Sequence, residues 1–123
     1  MDIINVEDII HIEKIKSICE KYELSYKEIT DLIFVLLNVY QFPTYKINIG
    51  KISINLEKSH NHKTILISIN YNTKFVNIYF NDNFIIKISI VGCLPYIINF
   101  IDAKWPNLRQ IIPEIKIVSN DNY

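Results

Sequence analysis

Residues 64–90 read TILISINYNTKFVNIYFNDNFIIKISI. Apolar and polar residues alternate through this stretch with a period of two, the signature of strands with one buried face. Ile65, Ile67, Ile69 and Tyr71 fall on one face of the first segment, Val76, Ile78 and Phe80 on one face of the second, and Phe84, Ile86, Ile88 and Ile90 on one face of the third. The breaks between segments are polar and rich in Asn, at "NTK" (72–74) and "NDN" (81–83), and Asn is a frequent turn residue because it tolerates left-handed backbone. A three-residue loop at 81–83, with Asn83 left-handed, pairs Phe80 with Phe84, Ile78 with Ile86 and Val76 with Ile88. The segments therefore form consecutive antiparallel hairpins.

Working toward the N-terminus, the alternation continues in Tyr45, Ile47 and Ile49, and after Gly50-Lys51 its parity flips to Ile52, Ile54 and Leu56. A tight turn at Gly50-Lys51, with Gly50 at positive φ, explains the flip and sets Ile49 opposite Ile52; the alternative is one long strand with a bulge at Gly50. Leu56 then faces Ile65 across a hairpin end centred on His60-Asn61. The result is a five-stranded meander.

Upstream, the period changes to that of a helix. Asn5 can cap a first helix whose apolar stripe is Ile12, Ile15, Cys19 and Tyr22. Ser25, with Glu28 three residues later, forms a capping-box pattern that starts a second helix. From Ile29 to Tyr40 that helix is apolar on nearly every side, so it is expected to lie between layers or under a partner chain. Pro43 stops it. One of its two polar positions, Asp31 or Asn38, is expected to be buried with its hydrogen bonds satisfied. Downstream, Gly92 ends the sheet and Pro95 suits the first turn of a third helix carrying Leu94, Ile97, Ile98 and Ile101. Trp105-Pro106 breaks it. A short helical turn over Leu108–Ile112, an edge strand from "EIKIV" and a frayed tail over 119–123 complete the reading. The predicted fold class is α+β: two N-terminal helices, a five-stranded antiparallel meander, and C-terminal helical segments packed on one sheet face, in a single domain over residues 1–118.

At 123 residues one core is feasible without disulfides or metal. Two cysteines, Cys19 and Cys93, are too sparse for a secreted disulfide framework. The opening "MDIINVEDII" lacks the basic stretch and apolar run of a signal peptide, and the longest apolar run, Leu32 to Leu37, is too short to cross a bilayer. A cytoplasmic location away from membranes is expected. Formal net charge is zero, but residues 1–43 hold eight acids and four lysines while residues 44–92 hold two acids and six lysines. This polarity falls short of a nucleic-acid footprint.

Motifs with chemistry are few. His60-Asn61-His62 in "EKSHNHKT" offers at most two metal ligands, and neither a third His nor a Cys lies beside them, so a polar turn is expected and no metal or cofactor is assigned. Cys93, between a strand and a helix start, is the weak candidate for a catalytic nucleophile; the bland alternative is an inert buried thiol. The outward sheet positions are mostly Asn, Ser and Lys. Leu66, Tyr79 and Ile85 break that pattern, with Tyr79 expected opposite Ile85, and form a candidate partner surface unless the C-terminal "RQIIPEIKIV" covers it. Phase-matched aromatics and lysines on the same face, Phe75 and Tyr79 with Lys46 and Lys87, give the alternative of single-stranded nucleic-acid binding, although no basic–glycine–aromatic run accompanies them. The leading expectation is a non-catalytic protein–protein interaction module, a small regulator or inhibitor that binds a protein partner or pairs with itself as a homodimer. The alternatives are the nucleic-acid binder and a thiol enzyme using Cys93.

Overall fold

A computed structural model describes residues 3–4 and 12–109. Two helices, α1 (Ile12–Tyr22) and α2 (Tyr26–Asn38), precede a 3-10 turn (Thr44–Lys46). The strands follow as β1 (Asn48–Ile49), β2 (Ser53–His60), β3 (Lys63–Asn70), β4 (Phe75–Phe80) and β5 (Asn83–Ser89), and helix α3 (Cys93–Lys104) closes the order. The strands lie in sequence order in one antiparallel sheet. The fold is therefore α+β with a meander. The expected Asn5 cap, the "EIKIV" strand, the 119–123 tail and most of the turn placed at Leu108–Ile112 lie outside the described residues.

Local signals act where they were expected. The Ser25 hydroxyl caps α2 by accepting from the Glu28 amide at 3.2 Å. Gly92, at φ +80°, supplies the left-handed residue that turns the chain into α3. On the sheet, Ile54, Leu56, Ile65, Ile67, Ile69, Val76 and Ile78 are all fully buried. They join Ile15, Cys19, Ile29, Ile33, Leu36, Leu37, Ile97 and Ile101 from the three helices in one core.

α2 is the centre of that core. Ile29, Leu32, Ile33, Val35, Leu36, Leu37 and Asn38 are buried and Phe34 is half-buried. Its all-round apolar character is thus accounted for by the chain's own layers, and it offers no open apolar side for a partner. Asn38 is the buried polar residue of the pair considered. Its amide nitrogen donates to the Ile4 carbonyl at 2.9 Å and the Phe34 carbonyl at 3.2 Å, and its oxygen accepts from the Ile4 amide. Asp31 is instead paired with Lys27 at 2.6 Å.

Three hairpins differ in register from the sequence reading. Ile49 pairs with Ile54, not Ile52, and the Gly50 amide donates to the Ser53 carbonyl at 2.8 Å, so Lys51 and Ile52 form the turn. Gly50 does not adopt positive φ. Tyr71 explains the shift: its amide donates to the Ile52 carbonyl at 3.0 Å and its hydroxyl to the Gly50 carbonyl at 2.9 Å, which clamps the turn from the next strand. Ile52 is left 61% exposed and Tyr45, in the 3-10 turn, 84% exposed. In the second hairpin Leu56 pairs with Ile67, not Ile65, around a two-residue turn, Asn61-His62, with φ of 52° and 62°. In the third, Asn81-Asp82 is again a left-handed two-residue turn, with φ of 50° and 69°, and Phe80 pairs with Asn83 rather than Phe84. A β-bulge then restores Ile78–Ile86 and Val76–Ile88 as expected. Paired left-handed residues match the right-handed twist of the strands, so these turns win over the longer loops. The first two shifts are by two residues, which preserves the buried face.

Candidate functional site

The helices cover one face of the sheet, and the other face carries the candidate partner surface. Its cross-strand rows follow from the pairing. Asn48, Asn55, Ser68, Asn77 and Lys87 form a polar row. Glu57, Leu66, Tyr79 and Phe84 form the row nearer the β2–β3 and β4–β5 turns. The polar row is internally satisfied at β2–β3, where the Ser68 hydroxyl donates to Asn55 Oδ1 at 2.6 Å. Further along, the Ser59 and Thr64 hydroxyls are 2.8 Å apart.

Tyr79 does not face Ile85 as the sequence reading had it. The bulge between Ile78 and Tyr79 makes Ile85 the extra residue and puts Phe84 opposite Tyr79. The two rings meet edge-on, with centroids 5.7 Å apart and planes at 69°. Leu66 is directly opposite Tyr79 on β3 rather than diagonal to it. Leu66 and Tyr79 are half-buried by their neighbours, while Phe84 and Ile85 are 56% and 43% exposed. Phe84 was missed because alternation alone assigns it inward; "NDN" followed by two consecutive apolar residues was the available sign of a bulge. The face is also low in charge: Glu57 and Lys87 are its charged strand positions.

The groups of the nucleic-acid reading are engaged with one another or with acids. The Lys87 ammonium lies over the Phe75 ring, 5.0 Å from its centroid, and Lys46 Nζ is 3.9 Å from Glu57. Stacking a base on Phe75 would require Lys87 to move.

Cys93 begins α3 and is 2% exposed. Burial, and then the nearby Glu28 carboxylate, push its thiol up to about 12. A thiolate nucleophile needs the opposite environment, exposed and electropositive. The second thiol, Cys19, is also buried and pushed up by desolvation.

His60 ends β2 and His62 lies in the turn. The His60 ring packs against Trp105 in a T-shape at 5.7 Å, and Trp105 Nε1 donates to the His60 carbonyl at 3.1 Å. This end of the hairpin thus anchors the C-terminal end of α3. Among the described residues, no three His, Cys, Asp or Glu side chains come together as a metal set. No helix among them is long and apolar enough to cross a membrane.

Comparisons with protein-family models, with curated proteins and with solved structures found no match.

Proposed function

We propose that the protein is a non-catalytic interaction module, a small regulator whose outer sheet face closes against a second copy of the chain. The observation that carries this reading is the Leu66–Tyr79–Phe84 row, with Ile85 beside it, on the face turned away from the helices. Contiguous apolar surface rimmed by polar residues marks interaction sites. The rim supports a like partner. Its Asn, Ser and Thr side chains both donate and accept hydrogen bonds, and the scarcity of charge lets two identical faces approach without repulsion. A two-fold arrangement is the commonest way for such a face to be closed. Aromatic residues at the centre of a contact carry much of its binding energy, which makes Tyr79 the residue to change. Sedimentation velocity over a range of concentrations, on the wild type and on Tyr79→Asp, tests the reading: a monomer–dimer equilibrium weakened by the substitution supports it. A wild type that is monomeric throughout removes the second copy as the occupant.

A further inference from the structure

Away from the Leu66–Tyr79–Phe84 row, α1 and the β1–β2 turn flank an open cleft of about 480 Å³. Lys14, Ser17 and Lys21 recur at helical spacing along α1 and line one wall, together with Ile18 and Tyr22. Ile49, Gly50, Lys51 and Tyr71 line the other. The volume lies within the range of small-molecule sites, which combine apolar walls with a few convergent polar groups.

Its charge is one-sided. Three lysines, Lys14, Lys21 and Lys51, belong to the lining, and no acidic residue does. None of the three forms an ion pair with a described acidic residue. Lys14 donates to the Ile49 carbonyl at 3.3 Å, which ties α1 to β1, and Lys21 lies over the Tyr22 ring at 5.3 Å. Neither of these contacts pairs a lysine with a described carboxylate. Tyr22 packs on the buried Tyr71, with ring centroids 5.3 Å apart and planes at 30°. Tyr71 is 1% exposed and its hydroxyl is committed to the Gly50 carbonyl, so it backs Tyr22 and leaves the half-buried Ile18, Tyr22 and Ile49 as the reachable apolar lining.

We infer that this cleft binds a small organic anion with an apolar body, the body against Ile18, Tyr22 and Ile49 and the anionic group among Lys14, Lys21 and Lys51. Cations along a concave wall raise the local concentration of anions, and the apolar lining favours those with an apolar body. The site is independent of the outer sheet face.

Anilinonaphthalene sulfonate carries both features and serves as the probe, with phenylnaphthylamine, the same rings without the sulfonate, as the uncharged comparison. Fluorescence titration should show the sulfonate binding about tenfold or more tightly than the amine at low salt, a preference that falls as salt rises. The double variant Lys14→Gln, Lys21→Gln should remove that preference while its circular dichroism stays native. Lys51→Gln gives a third reading that leaves α1 untouched and should lower the preference in part. Tyr79→Asp, on the outer sheet face, should leave sulfonate binding unchanged. Equal affinity for the two probes, a sulfonate preference retained in the double variant, or loss of binding in Tyr79→Asp instead would overturn the assignment.

Discussion

Tyr79 and Phe84 meet edge-on across β4 and β5, on the sheet face turned away from the core, because one extra residue, Ile85, is inserted beside them. Without that bulge, strict alternation would direct Phe84 inward. Edge-to-face aromatic pairs contribute about 0.5–1.5 kcal/mol beyond their buried area. A double-mutant cycle with Tyr79→Ala and Phe84→Ala, followed by urea denaturation of dilute protein, is expected to return a coupling in that range. A coupling near zero would mean that the rings do not touch in solution.

The two glycines should respond in the reverse of the order the turn reading suggests. Gly50 has ordinary backbone geometry, and a Cβ there would meet the Ser53 carbonyl oxygen at 3.4 Å, an ordinary contact. Gly92 has room for a side chain but sits at φ +80°, where an L-residue pays about 1 kcal/mol or more. Gly92→Ala should therefore destabilise the protein more than Gly50→Ala, as measured by denaturation midpoints. The opposite order would show that the β1–β2 turn uses Gly50 in a left-handed conformation.

Asn38 acts on Ile4 as a strand neighbour would, giving and taking one backbone hydrogen bond each. Asn38→Ala removes these partners from a fully buried site. It should cost about 1–3 kcal/mol, with amide hydrogen exchange at Ile4 accelerated. Unchanged exchange at Ile4 would contradict the contact.

High pH should unfold the protein through its buried tyrosines. Burial raises the Tyr71 hydroxyl to about 12, with smaller contributions from Tyr22 and Cys19. Burial first, and then the hydrogen bond to Asp102 at 2.8 Å, raise Tyr40. A raised folded pKa means that the folded state holds the proton more tightly than the unfolded chain. The associated stability is complete below the unfolded value of about 10 and is lost as pH climbs through the folded value. Stability should fall from about pH 8.5, where the buried Cys93 and Cys19 thiols begin to contribute. It should fall further from about pH 10 to 12 as the tyrosines join, and Tyr71→Phe should flatten part of the fall above about pH 10. A variant with the same alkaline profile as wild type would assign the effect elsewhere.

The layer order was legible because each element carries its own period: two for the sheet, three to four for α1, and a capping box at Ser25 for α2. Within the paired segments of β1, β2 and β3, face assignments survived register errors because the first two hairpins slipped by two residues, whereas Tyr45 and Ile52, drawn into the 3-10 turn and the β1–β2 turn, lost their expected place in the core. Register itself was not legible. It is set by partners remote in sequence, as where Tyr71 clamps the turn at Gly50 and Ile52, and by left-handed conformations at His62 and Asp82 that neither residue type demands. The candidate face was legible at Leu66 and Tyr79 and missed at Phe84, whose orientation depends on the bulge. The lysine cleft was not legible, since Lys51 lies at the β1–β2 turn while Lys14 and Lys21 lie on α1, and only tertiary packing brings them to one cleft.

The central claim is that the outer face associates with its own copy, and sedimentation velocity of wild type against Tyr79→Asp tests it most directly. The wild type should show a concentration-dependent dimer. In Tyr79→Asp, association should be weakened by about 2 kcal/mol or more, with the fold intact by circular dichroism. A wild type that stays monomeric at every concentration, or a dimer that Tyr79→Asp leaves unchanged, would contradict it.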